Sequence, residues 1–195
     1  MVTLIILAII VVLFLLGIGI YNQLVTLRNQ VKNAWSQIDV QLQRRYDLIP
    51  NLIETVKGYM TYERGTLEAV TQARNQASSA REQLAKEGGP TEGSLKGLVS
   101  AESSLRGALG NFFALAENYP ELRASENMKV LQEELSSTEN KIAFARQAYN
   151  DQSMNYNTAQ QKFPAVLFAA ALGHHPVDLY EVTDQEAKKA VKVAF

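Results

Sequence analysis

The sequence contains no cysteine and only two histidines, the adjacent pair His174 and His175. The first absence excludes a disulfide framework, thiolate metal sites, a thiol nucleophile and a lipoprotein signal. The second leaves little material for acid–base or metal chemistry. Adjacent side chains diverge on a helix and no third ligand lies nearby in sequence, so the histidine pair reads as an exposed loop and no metal is expected. Charge of one sign is also missing: 19 basic residues face 20 acidic ones, for a net charge of −1. A nucleic-acid binder needs a strongly basic footprint, so no nucleic-acid partner is expected. Five prolines and 11 glycines in 195 residues are too few for an all-β chain built on frequent turns.

Catalytic motifs are absent too. There is no glycine-rich phosphate loop, no Gly-x-Ser-x-Gly elbow and no nucleophilic triad pattern. A di-metal carboxylate bundle needs Glu-x-x-His pairs on two helices, and both histidines fall after the last helical pattern. Glu133, Glu134 and Glu139 read as a solvated helix face. The expectation is a non-enzymatic protein with no catalytic residue and no cofactor.

What is present is sharply polarised along the chain. No charged side chain occurs before Arg28, and between residues 2 and 20 the only non-aliphatic positions are Thr3, Phe14, Gly17 and Gly19. Nineteen helical residues rise about 28 Å, close to the roughly 30 Å hydrocarbon core of a bilayer. Tyr21 stands where an interfacial aromatic belongs. Met1-Val2-Thr3 carries no basic residue and no Ala-x-Ala closes the run, which argues against a cleaved signal peptide. Arg28 and Lys32 follow the span, so the positive-inside bias favours an external N-terminus and a cytoplasmic body. Residues 2–20 are therefore read as a single transmembrane helix in a bacterial inner membrane, contacting lipid.

The apolar period continues beyond it. Leu24, Val31, Ile38, Leu52 and Tyr59 recur at heptad a positions, with Trp35, Leu42, Ile49 and Val56 at d. Neither Gly nor Pro interrupts residues 20–49, which predicts one helix leaving the bilayer as a stiff stalk. The stripe passes on through Met60, Leu67, Val70, Ala73, Ala77, Ala80 and Leu84 to a turn at Gly88-Gly89-Pro90. A second arm from Leu95 to Phe113 ends before Asn118-Tyr119-Pro120. Ser125 then caps a helix reaching about residue 160. Phe163-Pro164 breaks it, and an apolar run over residues 165–172 is too short to cross a bilayer; it caps the core or lies in a membrane or partner interface. Thr183-Asp184-Gln185-Glu186 fits a capping box for a short terminal helix. The expected architecture is all-α: the span (2–20), an antiparallel bundle of three or four helices (21–162), and a C-terminal tail (163–195).

One cluster breaks the pattern. In Arg44-Arg45-Tyr46-Asp47-Leu48-Ile49-Pro50-Asn51, Arg45 takes an otherwise apolar a position, so an interior carboxylate partner is expected. Pro50 removes the hydrogen bond to the Tyr46 carbonyl and should kink or break the helix. Trp35, Arg44, Arg45, Asp47, Pro50 and Asn51 are the candidate structural or interaction residues.

The same residues carry a family resemblance. The stretch from Asn33-Ala34-Trp35-Ser36-Gln37-Ile38-Asp39 through Arg44-Arg45-Tyr46-Asp47-Leu48-Ile49-Pro50-Asn51-Leu52 resembles the LemA family signature. So do Glu117-Asn118-Tyr119-Pro120-Glu121-Leu122, Thr138-Glu139-Asn140-Lys141-Ile142-Ala143-Phe144-Ala145-Arg146 and Asn155-Tyr156-Asn157. The resemblance implies an N-terminal transmembrane helix, a cytoplasmic bundle and no established enzymatic activity. It links some members to membrane organisation, magnetosome membranes included, and others to a heat-shock membrane metalloprotease. The functional expectation is a membrane-anchored homo-oligomer, a scaffold that self-assembles to organise or shape the bilayer. The alternative is an adaptor that recruits a membrane protease or signalling partner through the 44–51 surface.

Overall fold

The computed structural model describes residues 1–91 and 93–181. Helix α1 runs from Val2 to Val56 without a break, 55 residues that rise about 80 Å. Helices α2 (Arg64–Lys86), α3 (Leu95–Ala116), the single-turn α4 (Pro120–Ala124) and α5 (Glu126–Gln161) follow, and no strand occurs among the described residues. The four long helices alternate in direction. Helix α5 packs back along α1 and α2 pairs with α3, giving an antiparallel bundle built on the C-terminal two-thirds of α1.

The heptad positions form its core. Leu24, Val31, Trp35, Ile38, Leu42, Ile49, Leu52 and Val56 are buried, joined by Val70, Ala73, Ala77 and Leu84 from α2. Helix α3 adds Leu95, Leu98, Leu105 and Phe112, and α5 adds Met128, Leu135, Ile142 and Tyr149. Residues 2–16 pack against nothing in the chain. Among the described residues, α1 is the one helix long and apolar enough to cross a membrane, and the apolar window that qualifies it is wholly exposed.

Two local expectations change. The first arm is broken by the turn over residues 57–63, where the amides of Tyr59 and Met60 both donate to the Val56 carbonyl. That turn folds Met60 into the core and throws Tyr59 outward, 45% exposed, so the heptad phase does not survive the turn. Pro50, by contrast, does not end α1. The carbonyl it orphans, that of Tyr46, accepts a 3.0 Å hydrogen bond from Arg74 Nε on α2. An arginine from the neighbouring helix replaces the missing amide, and the helix carries on for six residues. The α2–α3 turn falls where expected, with Gly88 and Gly89 at φ 87° and 101°, a region that penalises any side chain. Ser125 occupies the N-cap of α5 but makes no side-chain capping bond. The capping box over residues 183–186 lies outside the described residues.

Arg74→Met should therefore cost about 2 kcal/mol in urea unfolding, the range of a hydrogen bond to a charged donor. In a Pro50→Ala background the Tyr46 carbonyl regains an intrahelical amide, and the same substitution should cost well under half as much. Equal costs in the two backgrounds would contradict this assignment of Arg74.

Candidate functional site

Arg45 lies in the middle of the bundle, 1% exposed, because its heptad position leaves it no route to solvent. Its guanidinium pairs with two carboxylates from different helices, Glu102 of α3 and Glu139 of α5. Glu102 is itself buried, and its other oxygen accepts a hydrogen bond from the Tyr46 hydroxyl. One residue of α1 is thus tied to two other helices of the bundle. Burial pushes the Tyr46 phenol up to about 12, so it remains a protonated donor.

Around this centre runs a second ring of polar ties. Arg81 of α2 clasps Asp39 through two bonds of 2.6 and 2.7 Å and reaches Gln43 Oε1 at 2.7 Å. The Asp39 bond, the largest cause, raises the Arg81 pKa above its ordinary value. Gln43 in turn donates to Asp47 at 2.7 Å. Arg44, on the outer side of α1, pairs with Glu134 at 2.9 Å. Glu134 and Glu139 are therefore cross-helix partners rather than members of a purely solvated face.

The candidate residues thus separate into two sets. Trp35 and Arg45 are buried, with Trp35 edge-on to Tyr149 at 5.7 Å. Arg44, Asp47, Pro50 and Asn51 are exposed along one side of α1. The interior carboxylate expected for Arg45 is there, but Glu102 had no distinguishing mark in a helix diluted by Gly97, Gly107 and Gly110.

A further set of residues holds the C-terminal segment. After the tip formed by residues 162–173, the chain turns back along α5. The side-chain amide of Asn157 makes paired bonds with the backbone of Val177, at 2.8 and 3.0 Å. Asn150 does the same to Tyr180, at 3.3 and 2.7 Å. Between them the Tyr149 hydroxyl donates to the Asp178 carbonyl at 2.8 Å. The Tyr156 hydroxyl and His174 Nδ1 share a 3.0 Å hydrogen bond. The Tyr-Asn pair at 149–150 recurs one heptad later at 156–157, and that repeat was the available signal. His174 is consequently not in an exposed loop: it is 3% exposed, and its ring also meets Tyr21 edge-on at 6.0 Å.

Chemically, these are binding and locking groups. Tyr149 and Tyr180 are also pushed up to about 12, chiefly by burial, and so remain donors. No cluster of three or more metal-ligating side chains occurs among the described residues. A cleft of about 1010 Å³ opens between α1, the α2–α3 turn and the C-terminal segment, with Arg28, Lys32, Asp39, Glu87 and His175 on its walls.

Such an all-α bundle, carried on an apolar N-terminal helix and locked by buried ion pairs, defines a membrane-associated helical protein. The chain belongs to the LemA family, whose model matches residues 34–195. It is similar to magnetosome protein MamQ of Magnetospirillum gryphiswaldense, 28% identical over 82% of this chain and 64% of the relative. Similarity to magnetosome protein MamQ 2 of Paramagnetospirillum magneticum is comparable, 27% identical over 83% and 64%. The chain therefore spans less than two-thirds of the length of these magnetosome relatives. Protein LemA of Metamycoplasma hominis is 28% identical over 90% of this chain and 79% of its own. None of these names denotes an enzyme.

Arg45→Leu should lower stability by about 3–5 kcal/mol, because it strands Glu102 in the core without a counter-charge. Arg45→Leu with Glu102→Leu should recover most of that loss in denaturant titrations; no recovery would contradict the pairing.

Burial first, then the neighbouring Arg28 and His175, lowers the His174 pKa below its ordinary 6.5. The fold therefore favours neutral His174. Its contribution is complete above pH 6.5 and is lost as pH falls below that value, where the unfolded chain takes up a proton that the folded one refuses. Amide exchange over residues 174–180 should accelerate on acidification through this window, and His174→Gln should abolish the acceleration.

Proposed function

We propose that this protein is a non-enzymatic membrane scaffold: residues 2–20 cross a bacterial inner membrane, and the bundles pack side by side to organise or shape it. The observation that carries this reading is the continuity of α1. One helix supplies both the exposed apolar segment and the central element of the core, with no flexible joint between them. A bundle fixed in this way has a defined orientation on the bilayer, which is what lateral packing of identical copies into rings or arrays requires. Balanced surface charge permits such packing, and the names of the magnetosome relatives agree with a role at a membrane compartment. Arg28 and Lys32 favour a cytoplasmic bundle with the N-terminus outside.

The outer faces of α1 and α5 supply contacts for assembly. Phe144 is 73% exposed and Val40 is 56% exposed, at the same level of the antiparallel pair. A groove along α5, from Lys129 to Phe144, lies on this outer side. Large apolar residues that the fold leaves outside its core are the expected anchors of a protein–protein contact. A second reading is favoured by the exposure of Asp47, Pro50 and Asn51 along one face of α1: an adaptor that recruits a membrane protease or signalling partner there.

Light scattering of the full-length protein in mild detergent should give a discrete particle far larger than the 21.6 kDa chain, with ordered assemblies in negative stain. Phe144→Ser should reduce the particle mass severalfold while leaving the melting temperature unchanged, since the side chain packs little within the chain. A wild-type monomer or dimer would overturn self-assembly and move attention to crosslinking at residues 44–51.

A further inference from the structure

Helix α5 descends along α1 in a constant register. Trp35 meets Tyr149 and Arg45 meets Glu139, one residue of descent for each residue of ascent. Carried to the end of α5, this register sets Gln161 level with Gln23 and Phe163 level with Tyr21. The returning segment confirms the level independently, because His174 touches both Tyr156 and Tyr21. Everything between Phe163 and Gly173 is thus a tip that projects past the bundle, beside the upper end of the apolar segment of α1. The α2–α3 turn stops well short of it, near Trp35, which lies 3.9 Å from the position of a Cβ on Gly89.

The tip is apolar and points outward. A short turn of 3-10 helix over Ala165–Leu167 buries Ala165 against the bundle, and Ala169 is buried too. Phe163, Val166, Leu167, Phe168 and Leu172 stay 81, 52, 64, 49 and 43% exposed. No charged residue occurs from 163 to 173, whereas Lys162 flanks the tip and Arg28 lies about two turns above it on α1. Five large apolar side chains clustered within ten residues at one end of the bundle, facing water, need a cover. Continuity with the apolar helix identifies that cover.

We infer that residues 163–173 form a second lipid-contacting element, a wedge that enters the acyl-chain and headgroup boundary of the leaflet from which α1 emerges. It deepens the scaffold reading and rests on α1 crossing the bilayer. A turn at this depth buries its apolar side chains about 5–10 Å into the interface, while Lys162 and Arg28 reach phosphate groups. Inserted on one side only, the wedge displaces lipid in one leaflet. It also fixes the rotation of the bundle about α1, which a single spanning helix leaves free.

The natural absence of cysteine allows a single environment-sensitive fluorophore to be placed at Leu167→Cys in the full-length chain, reconstituted in phosphatidylcholine–phosphatidylglycerol nanodiscs. Phe14→Cys reports the span, and Tyr62→Cys, 96% exposed at the opposite end of the bundle, reports water. The Leu167 probe should emit to the blue of the Tyr62 probe, resist aqueous iodide, and lose about twofold or more of its emission in lipids brominated near the headgroup. A Leu167 probe quenched by iodide while the Phe14 probe is quenched by brominated lipid would overturn the wedge and leave the anchor intact. Protection from both quenchers at Leu167 would mean that protein, a second copy included, covers the tip, and would also overturn the proposal. If neither Phe14 nor Leu167 senses brominated lipid, the spanning helix itself is wrong.

Discussion

The molecule depends on an unbroken backbone ladder along α1. A helix that is an exposed apolar segment at one end and bundle core at the other must satisfy its amide groups throughout, since a local break would uncouple the two halves. Its sequence threatens that ladder once, at Pro50. The repair comes from Arg74, whose Nε supplies the donor that proline lacks. A helix interrupted only once, and repaired from a neighbour, carries orientation across about 50 Å of stalk and bundle.

The buried charges act on the same helix. Arg45 is costly to bury, and its pairing with Glu102 and Glu139 offsets that cost only when α1, α3 and α5 sit in one register. A purely apolar seam tolerates slippage by a heptad more readily than one with a single arginine facing two fixed carboxylates. Arg81 on Asp39 repeats the device toward α2. At the other end, Tyr-Asn pairs on α5 hold residues 174–180 against that helix and so determine where the apolar tip projects. Rigidity in the core and placement of the apolar tip are thus set by polar residues, not by the apolar stripe that supplies most of the burial.

Much of the architecture was legible because the heptad pattern is strict where α1 packs. Leu24 through Val56 were correctly assigned to the core, the α2–α3 turn was marked by two glycines, and an arginine in an apolar position demanded a carboxylate. Most of the failures share a cause: they depend on a partner distant in sequence. Pro50 reads as a kink or a break until Arg74 is brought beside Tyr46. Glu139 reads as part of a solvated face, and Glu102 carries no mark at all, until α3 and α5 are stacked on Arg45. The turn at residues 57–63 was hidden because Tyr59 and Met60 extend the apolar rhythm, although only Met60 is used inside. His174 reads as an exposed loop residue until the chain doubles back on α5 and lodges it between Tyr21 and Tyr156.

The central claim is that α1 passes from lipid into protein as one rigid element. Hydrogen–deuterium exchange of the full-length protein in nanodiscs, followed for the amides of residues 17–31, tests it directly. On the proposed reading these residues straddle the membrane surface, Gly17 and Gly19 included. Uniformly slow exchange, continuous with the protection of residues 35–56, is the predicted result. A fast-exchanging stretch between Tyr21 and Arg28 would mean that a hinge separates anchor from bundle, and would contradict the account.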